Sequence, residues 1–421
     1  MRLKDTGYIN RYVLSESTSP DFAFKYIDIS SVSSAGAIEI PVERTTFASA
    51  PSRARRLAPA GSTIVSTVRT YLRAVAHVPV AEEPLVFSTG FAVVEPRPTV
   101  DGRFLAYTCQ STCFIEEVVA RSTGVSYPAI NPGDLGAISV HLPPLDEQRR
   151  IADFLDSEIS KIDRFRELRA NTIRSWSERL AVVLDNRIRG QDLPNLTPAD
   201  YAPLGAVPDS WGQARLRSVE CDVQTGPFGS QLHAEDYIDG GWPIINPANI
   251  GPTGLLPDYS TTVSDEIRAR LGRHVLEPGD VVFARRGELG RAAVVGEHQG
   301  GWLCGTGALR VRFSNDDFHP EYMQRYLAIS AIRHYFEKYA VGSTMANLST
   351  AILLGTPLLI PPPEAQESIV MACTWDEERH RGALTAFARQ NALAAARRQE
   401  LITAAVTEQI DVTTARTGAV A

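Results

Sequence analysis

Cysteine and lysine are scarce in this chain of 421 residues, and long apolar runs are missing altogether. The five cysteines (Cys109, Cys113, Cys221, Cys304 and Cys373) are odd in number and form no CxxC pair, which argues against a disulfide framework and suits a reducing compartment. No stretch approaches the ~18 apolar residues of a membrane span, and the charged opening Met1-Arg2-Leu3-Lys4-Asp5 lacks a signal peptide's apolar segment, so a cytoplasmic protein is expected. Catalytic motifs are equally absent. A methyltransferase would need an (Asn/Asp)-Pro-Pro-aromatic loop to grip a flipped base, yet Asn131-Pro132-Gly133 and Asn246-Pro247-Ala248 lack the second proline and the aromatic. No glycine is followed by lysine, which excludes a GxxxxGK[ST] phosphate loop. The densest acidic runs, Asp316-Asp317 and Asp376-Glu377-Glu378, read as a solvated turn and a helix face rather than magnesium ligands, and the histidines form no HxxxH pair.

What is present is a globular composition, 44% hydrophobic and 22% charged, at a length that favours two to four compact units. The net charge of −7 is unfavourable for a nucleic-acid binder taken whole, but its distribution is uneven. Between Arg44 and Val80 there are six arginines and no carboxylate, and from Arg285 to Phe313 five arginines face two glutamates. Each cluster is open to two readings, a phosphate-facing patch or an ordinary solvated face. With only four lysines, codon bias is a further source of arginine.

A repeat organises the chain. Leu142-Pro143-Pro144-Leu145-Asp146-Glu147-Gln148 returns 218 residues later as Ile360-Pro361-Pro362-Pro363-Glu364-Ala365-Gln366. The same offset relates Tyr26-Ile27-Asp28 to Ile244-Ile245-Asn246, Gly36 to Gly254, Gly61 to Gly279, Arg73 to Arg291, and Gly124 to Gly342. Two copies of a unit of about 200 residues follow, each a glycine-rich, β-branched part before a long charged helix. Strands are predicted at Ser62–Ser66 and its counterpart Asp280–Ala284, and at Gly90–Val94 and Ala308–Arg312. Tyr322–Tyr339 and Phe104–Ala120 each predict one helix.

The long helices carry the clearest periodicity. After Pro143-Pro144, with Asp146 and Glu147 at the positive end of the helix dipole, apolar residues recur at Ile151, Leu155, Ile159, Ile162, Phe165, Ile173, Trp176, Leu180, Val183 and Ile188. No proline or glycine interrupts Leu145–Arg189, so the helix is a rod of roughly 65 Å. The second copy runs from Glu364 to about Gln409 with Ile369, Leu384, Phe387, Leu393, Leu401, Ala405 and Ile410 on its stripe. Its end aligns with the first at offset 222, which predicts four added residues. Either each helix packs on its own globular part or, since the rod outruns such a part, the two pair with each other. The proline-rich stretch Gly190–Pro208 reads as a linker.

These residues resemble the specificity subunit of type I restriction–modification systems. The resemblance rests on the run from Leu142 through Asp156, on Val207-Pro-Asp-Ser-Trp211, on Gly226-Pro-Phe-Gly-Ser-Gln-Leu232, and on Gly342-Ser-Thr-Met-Ala-Asn-Leu-Ser349 with its looser counterpart Ser122–Asn131. It implies an α/β (α+β) protein: two target-recognition domains separated by two long helices in an antiparallel coiled coil, with a pseudo-twofold internal repeat. The expected division is 1–144 and 207–362 for the recognition domains, 145–190 and 363–412 for the helices, 191–206 for the linker and 413–421 for a disordered tail. Each domain would read half of a bipartite target in double-stranded DNA. The chain would carry no catalytic site or cofactor. Two methyltransferase subunits would bring S-adenosylmethionine, and restriction/translocase subunits would bring ATP and magnesium chemistry. The expected helix seam comprises Ile151, Leu155, Ile159, Ile162, Trp176, Leu180, Ile369, Leu384, Phe387 and Leu401.

Base edges are read by arginine and by amide and hydroxyl side chains, positioned through phosphate contacts. The candidates are Arg53, Arg55 and Arg56 in the first copy and Arg268, Arg270 and Arg273 in the second for bases, with Arg69, Arg73, Arg285, Arg286 and Arg291 for phosphates. Gln224, Ser230 and Gln231 join them from a glycine-held loop that reads first as a structural turn fixing the head's fold, as do Ser343, Thr344 and Asn347. One departure stands out: at offset 218 the counterpart of Trp211 falls before Met1, and Tyr8–Leu14 shares only its last leucine with Gly226–Leu232. The first domain differs at its start, or the start codon is misplaced. Rival readings are a protein-binding scaffold, a self-sufficient restriction enzyme, and a specificity cassette without its own nuclease.

Overall fold

The computed structural model describes residues 1–228, 231–251, 253–314, 317–340 and 347–412. The chain divides into two compact units, Met1–Asn171 with the chain from Thr385 onward, and Thr172–Leu384. Each is built on the same four-stranded antiparallel sheet. In the first unit the order is Gly7–Ile9, Phe91–Pro96, Thr63–Ser66, Val75–His77; in the second it is Cys221–Thr225, Ala308–Phe313, Val281–Ala284, Ala292–Val294. Their central strands are buried throughout (Thr63–Ser66 and Val281–Ala284), as expected of β-branched runs covered on both faces. A second sheet packs beside each. Its parallel pair is Ala23–Ile27 with Leu85–Ser88 in the first unit and Trp242–Ile245 with Leu303–Cys304 in the second.

Strand pairing corrects the uniform offset. Thr63 opposes Val94 whereas Val281 opposes Val311, so the partner strand is displaced by 217 rather than 218 residues. Gly7 opposes Pro96 whereas Cys221 opposes Phe313, which sets the first strands 214 apart. Tyr8–Leu14 is therefore not the counterpart of Gly226–Leu232. Tyr12–Val13 instead pairs with Ala54–Leu57 in the second sheet. The second unit adds Gly212–Arg215 paired with Pro357–Ile360, whereas the corresponding Ser139 bridges only Arg2.

The helices expected at Phe104–Ala120 and Tyr322–Tyr339 are each two. Gly102–Gln110 and Thr112–Ala120 are separated at Ser111, whose extended backbone and side-chain oxygen cap the second helix at Phe114 N–H. Pro320–Tyr326 and Ser330–Tyr339 are separated around extended Ile329, and the Asp185 carboxylate accepts from both the Ser330 N–H and its hydroxyl. A tertiary cap of that kind leaves no local sequence signal.

The long helices are Leu145–Ile188 and Pro363–Val406, 44 residues each. No four-residue insertion exists. Both end in the same 6→1 closure, Gln191 N–H to Asn186 O and Gln409 N–H to Ala404 O, with Gly190 and Glu408 in the left-handed region at φ 66° and 57°. All these pairs are 218 apart. Both helices begin on the same lock. Gln148 and Gln366 are buried; each donates to the carbonyl five residues earlier (Pro143, 2.8 Å; Pro361, 2.9 Å). Gln148 also donates to Thr99 O and accepts from Asp101 N–H, and Gln366 does the same with Asp317 O and His319 N–H.

Among the described residues the stripe is most deeply covered toward the helix ends. In the first unit Ile151, Leu155 and Ile159 pack with Phe104, Ile402 and Ala405, with Leu401 alongside. In the second, Ile188 and Ile369 join the main core. Between these, Ile162 and Leu180 are half-buried, and Phe165, Trp176, Val183 and Leu393 are exposed. Leu384 is exposed and Phe387 half-buried, its ring 5.5 Å from the Arg169 guanidinium. The Gly190–Pro208 stretch is not a free linker. Leu196–Pro198 pairs with Ala206–Pro208, and Leu204 and Val207 are buried in the second unit's core beside Trp211. Among the described residues, no helix is long and apolar enough to cross a membrane.

Candidate nucleic-acid interface

Three connections meet at one end of the four-stranded sheet in each unit, held by matching backbone hydrogen bonds. In the first, Thr67 N–H donates to Gly90 O and Thr67 O accepts from Ile130 N–H; in the second, Arg285 N–H donates to Gly307 O and Arg285 O accepts from Leu348 N–H. The loop after the central strand is thus clamped between a tight turn and the segment that follows the paired helices. Arg69, Arg73, Arg285, Arg286, Arg291 and Asn347 lie on these connections, Arg55 and Arg56 on the neighbouring sheet, and Gln224 near the end of the edge strand Cys221–Thr225.

In the first unit Arg53 is exposed, and its carbonyl accepts from Thr89 N–H, which ties it to the same turn. Arg55 lies over the Phe47 ring at 4.6 Å and bonds Ala54 O. Arg56 is half-buried, its Nε without a hydrogen-bond partner among the described residues, and burial pushes its guanidinium down from its ordinary value. Exposed Arg69 stacks on Tyr127 at 4.8 Å, and Arg73 is half-buried, its buried Nη2 without a hydrogen-bond partner among the described residues. Both have left-handed backbones, at φ 49° and 57°. Residues 66–80 and 118–133, which supply the two longer connections, contain no carboxylate.

The second unit spends more of its arginines internally. Arg268 lies 4.1 Å over Trp242 and donates to Gly301 O; Arg270 pairs with Asp236 at 3.0 Å and bonds Gln231 O. Arg291 donates to Pro247 O, and by strand pairing it matches Ala74, not Arg73. Arg285 donates to Leu348 O beside the Phe228 ring, and burial with the adjacent Arg286 charge lowers its pKa. Arg286 and Arg273 are exposed. Gln224 bonds Thr225 O, and the Gln231 carboxamide oxygen accepts from Phe228 N–H. A Cβ at Gly226 would overlap the Gly305 carbonyl, so the shared glycine serves a close backbone crossing. Asn347 is half-buried with its Oδ1 unpartnered among the described residues. Ser230, Ser343 and Thr344 lie outside the described residues. The structure therefore gathers Gln224, Arg285 and Asn347 in one region and sets Arg268 and Arg270 against other groups of the second unit.

Sequence reasoning passed over Tyr71, Leu72, Val125 and Tyr127, exposed apolar side chains on the first unit's two longer connections. Their exposure depends on tertiary clamping, which periodicity does not report. No group of three or more His, Cys, Asp or Glu residues among the described ones could hold a metal ion.

The comparisons agree with this architecture. The type I restriction modification DNA specificity domain matches twice, at residues 17–171 and 208–372. The specificity subunit of the type I restriction enzyme EcoKI from Escherichia coli K12 is 23% identical over 308 residues, 69% of this chain and 62% of that protein, so the chain spans under two thirds of its length. A chain solved in work on complex assembly and conformational transition of the type I R-M system superposes with a TM-score of 0.72 at 25% identity, covering 96% of both chains. The HsdS subunit from Thermoanaerobacter tengcongensis shares the fold at a TM-score of 0.52 and 23% identity, covering 97% of this chain and 96% of that one. With two matched copies, both built on one mixed α/β plan, the chain belongs to the type I restriction–modification DNA specificity family.

Proposed function

We propose that the chain is the sequence-reading subunit of a type I restriction–modification complex, in which each globular head reads one half of a bipartite DNA target. The observation that carries this reading is the double match, one specificity domain per head, on two heads that share sheet order and clamped connections. Arg53, Arg69 and Arg73 in the first head, and Gln224, Arg285, Arg286 and Asn347 in the second, are the groups best placed for phosphates and base edges. Arg268 and Arg270 position their own head.

The long helices form an antiparallel coiled coil that spaces the heads. Contacts support that direction: Arg398 meets Asp163, Phe387 meets Arg169, His380 meets Trp176 and Asp376 meets Arg187, so advance along one helix is retreat along the other. At ~1.5 Å per residue the helices are long enough to set heads roughly one or two DNA turns apart. Exposed Phe165, Leu168, Trp375 and Leu393 offer apolar surface for docking two methyltransferase subunits. Those subunits bring S-adenosylmethionine; restriction/translocase subunits bring ATP and magnesium chemistry. The chain itself contributes recognition and geometry, without catalysis, in the cytoplasm.

The test is to co-express the chain with the methyltransferase encoded beside it and map N6-methyladenine across a host genome by single-molecule sequencing. A two-part motif with a fixed gap is expected. A continuous motif, or none from a stable complex, refutes the reading.

A further inference from the structure

In the first unit the connection 67–74 is one residue longer than its counterpart 285–291, and the backbone at its two bends is unusual. Arg69 and Arg73 sit at left-handed φ where the second unit has Gly287 and Gly290, at φ 80° and 86°. An L-residue there brings Cβ against the following carbonyl, a strain that glycine escapes. Two arginines held in such conformations within one short loop are a cost that a use of the guanidinium groups would offset.

Between them the loop lifts Tyr71 and Leu72 into solvent, at 54% and 42% exposure. The second long connection is zipped alongside: Arg69 N–H donates to Pro128 O, Val68 and Thr123 each bridge Ala129, and the Thr70 and Ser122 hydroxyls lie 2.9 Å apart. It adds Val125, fully exposed, and Tyr127 at 65% exposure beneath the Arg69 guanidinium. The outcome is an apolar ridge rimmed by arginine, with no carboxylate in residues 66–80 or 118–133. In the second unit the matching segment Gly287-Glu288-Leu289-Gly290 is acidic at its tip, and Leu289 is turned into the core.

We propose that Tyr71 and Leu72 form a wedge of the first head that reads base edges of one half-site by apolar contact, while Arg69 and Arg73 grip the flanking phosphates. Thymine methyl groups in the major groove, or an opened base step, are the surfaces such a wedge fits, and positive flanks without carboxylates select a polyanion. The inference rests on the DNA-reading proposal and adds an asymmetry: the two heads use different chemistry at the same connection.

The experiment uses the full chain in complex with its methyltransferase and reads both the methylation motif and salt-dependent DNA binding. Y71A/L72A is expected to relax base preference in one half-site, leaving the other half-site and the gap unchanged. R69G/R73G supplies the residue that the backbone favours, so its melting temperature should not fall, while DNA affinity drops about 10- to 100-fold. Its log K against log salt slope should shrink by about two. A Y71A/L72A complex with the wild-type motif and methylation rate overturns the wedge, and an unchanged salt slope in R69G/R73G overturns the clamp. In either case a two-part wild-type motif leaves the DNA-reading proposal intact. Loss of methyltransferase co-purification in these variants would instead assign the ridge to a protein partner and overturn the proposal. No two-part motif from the wild type refutes the underlying reading as well.

Discussion

Replacing Gln148 or Gln366 by leucine removes a lock that fastens a long helix to its own head. Leucine is close in volume, so the packing change is small and polar groups decide the outcome. Each carboxamide makes three hydrogen bonds to backbone groups, and Gln148 and Gln366 are 1% and 0% exposed, so water cannot replace them without an opening of the structure. A net ~1 kcal/mol for each bond sets the floor, and stranding a buried N–H and two carbonyls raises it, giving about 3–6 kcal/mol per substitution. Against a typical native stability of about 5–15 kcal/mol that is a severe loss, equivalent to roughly 10 °C or more for a unit of this size. The tryptophans make the assay specific. All five (Trp176, Trp211, Trp242, Trp302 and Trp375) belong to the second unit. In urea unfolding, Q366L should therefore shift the fluorescence midpoint strongly. Q148L should lower the far-UV circular dichroism midpoint while leaving the tryptophan-monitored transition within about 0.5 kcal/mol. Losses under 1 kcal/mol in both variants would show that the glutamines merely fill space, and a Q148L effect carried fully into the tryptophan signal would refute the independence of the two locks.

Three further expectations follow from the helices and from His274. Inserting four residues, about 6 Å of helix, at the same level in both long helices should lengthen the gap of the methylated motif by about two base pairs and leave its half-sites alone; methylation at the original spacing refutes the spacer role. His274 is 2% exposed, its Nδ1–H donating to Thr225 O, and burial lowers both its pKa and that of His77 below the ordinary 6.5. The unfolded chain then takes up protons before the folded one, so stability falls as pH drops below about 6.5; H274Q should flatten that dependence in tryptophan-monitored unfolding, and an unaltered profile refutes it. E408G should stabilise the first unit by about 0.5–1 kcal/mol by relieving a left-handed backbone, since the lost contact to the exposed His141 ring is worth little; a lower circular dichroism midpoint contradicts it.

The long helices were legible because their signals are local and redundant: prolines before the first turn, acids in it, and more than 40 residues of the first without glycine or proline. The repeat was legible for the same reason, since Leu142–Gln148 and Ile360–Gln366 keep a glutamine whose three partners are backbone groups, indifferent to side-chain drift. What failed was everything decided by tertiary contact. The helix break before Ser330 is capped by Asp185 from far along the chain, and the presumed linker is held down by Leu204 and Val207 in a core that prolines alone do not announce. The spurious four-residue insertion has a sharper cause. Offsets of 218 and 222 differ by about one helical turn, so either lays apolar residues on the same face, and periodicity has no power to choose between them. Only the helix terminator discriminates, and in the second copy it is Glu408 rather than the glycine found at position 190. The candidate interface was obscured in the same way. Glycines at 287 and 290 announce left-handed bends, whereas Arg69 and Arg73 at the matching bends look like ordinary basic residues in a strand-rich stretch. Where a non-glycine occupies a position that backbone geometry favours for glycine, as at Arg69, Arg73 and Glu408, sequence patterning is blind to the bend and only the folded backbone reveals it.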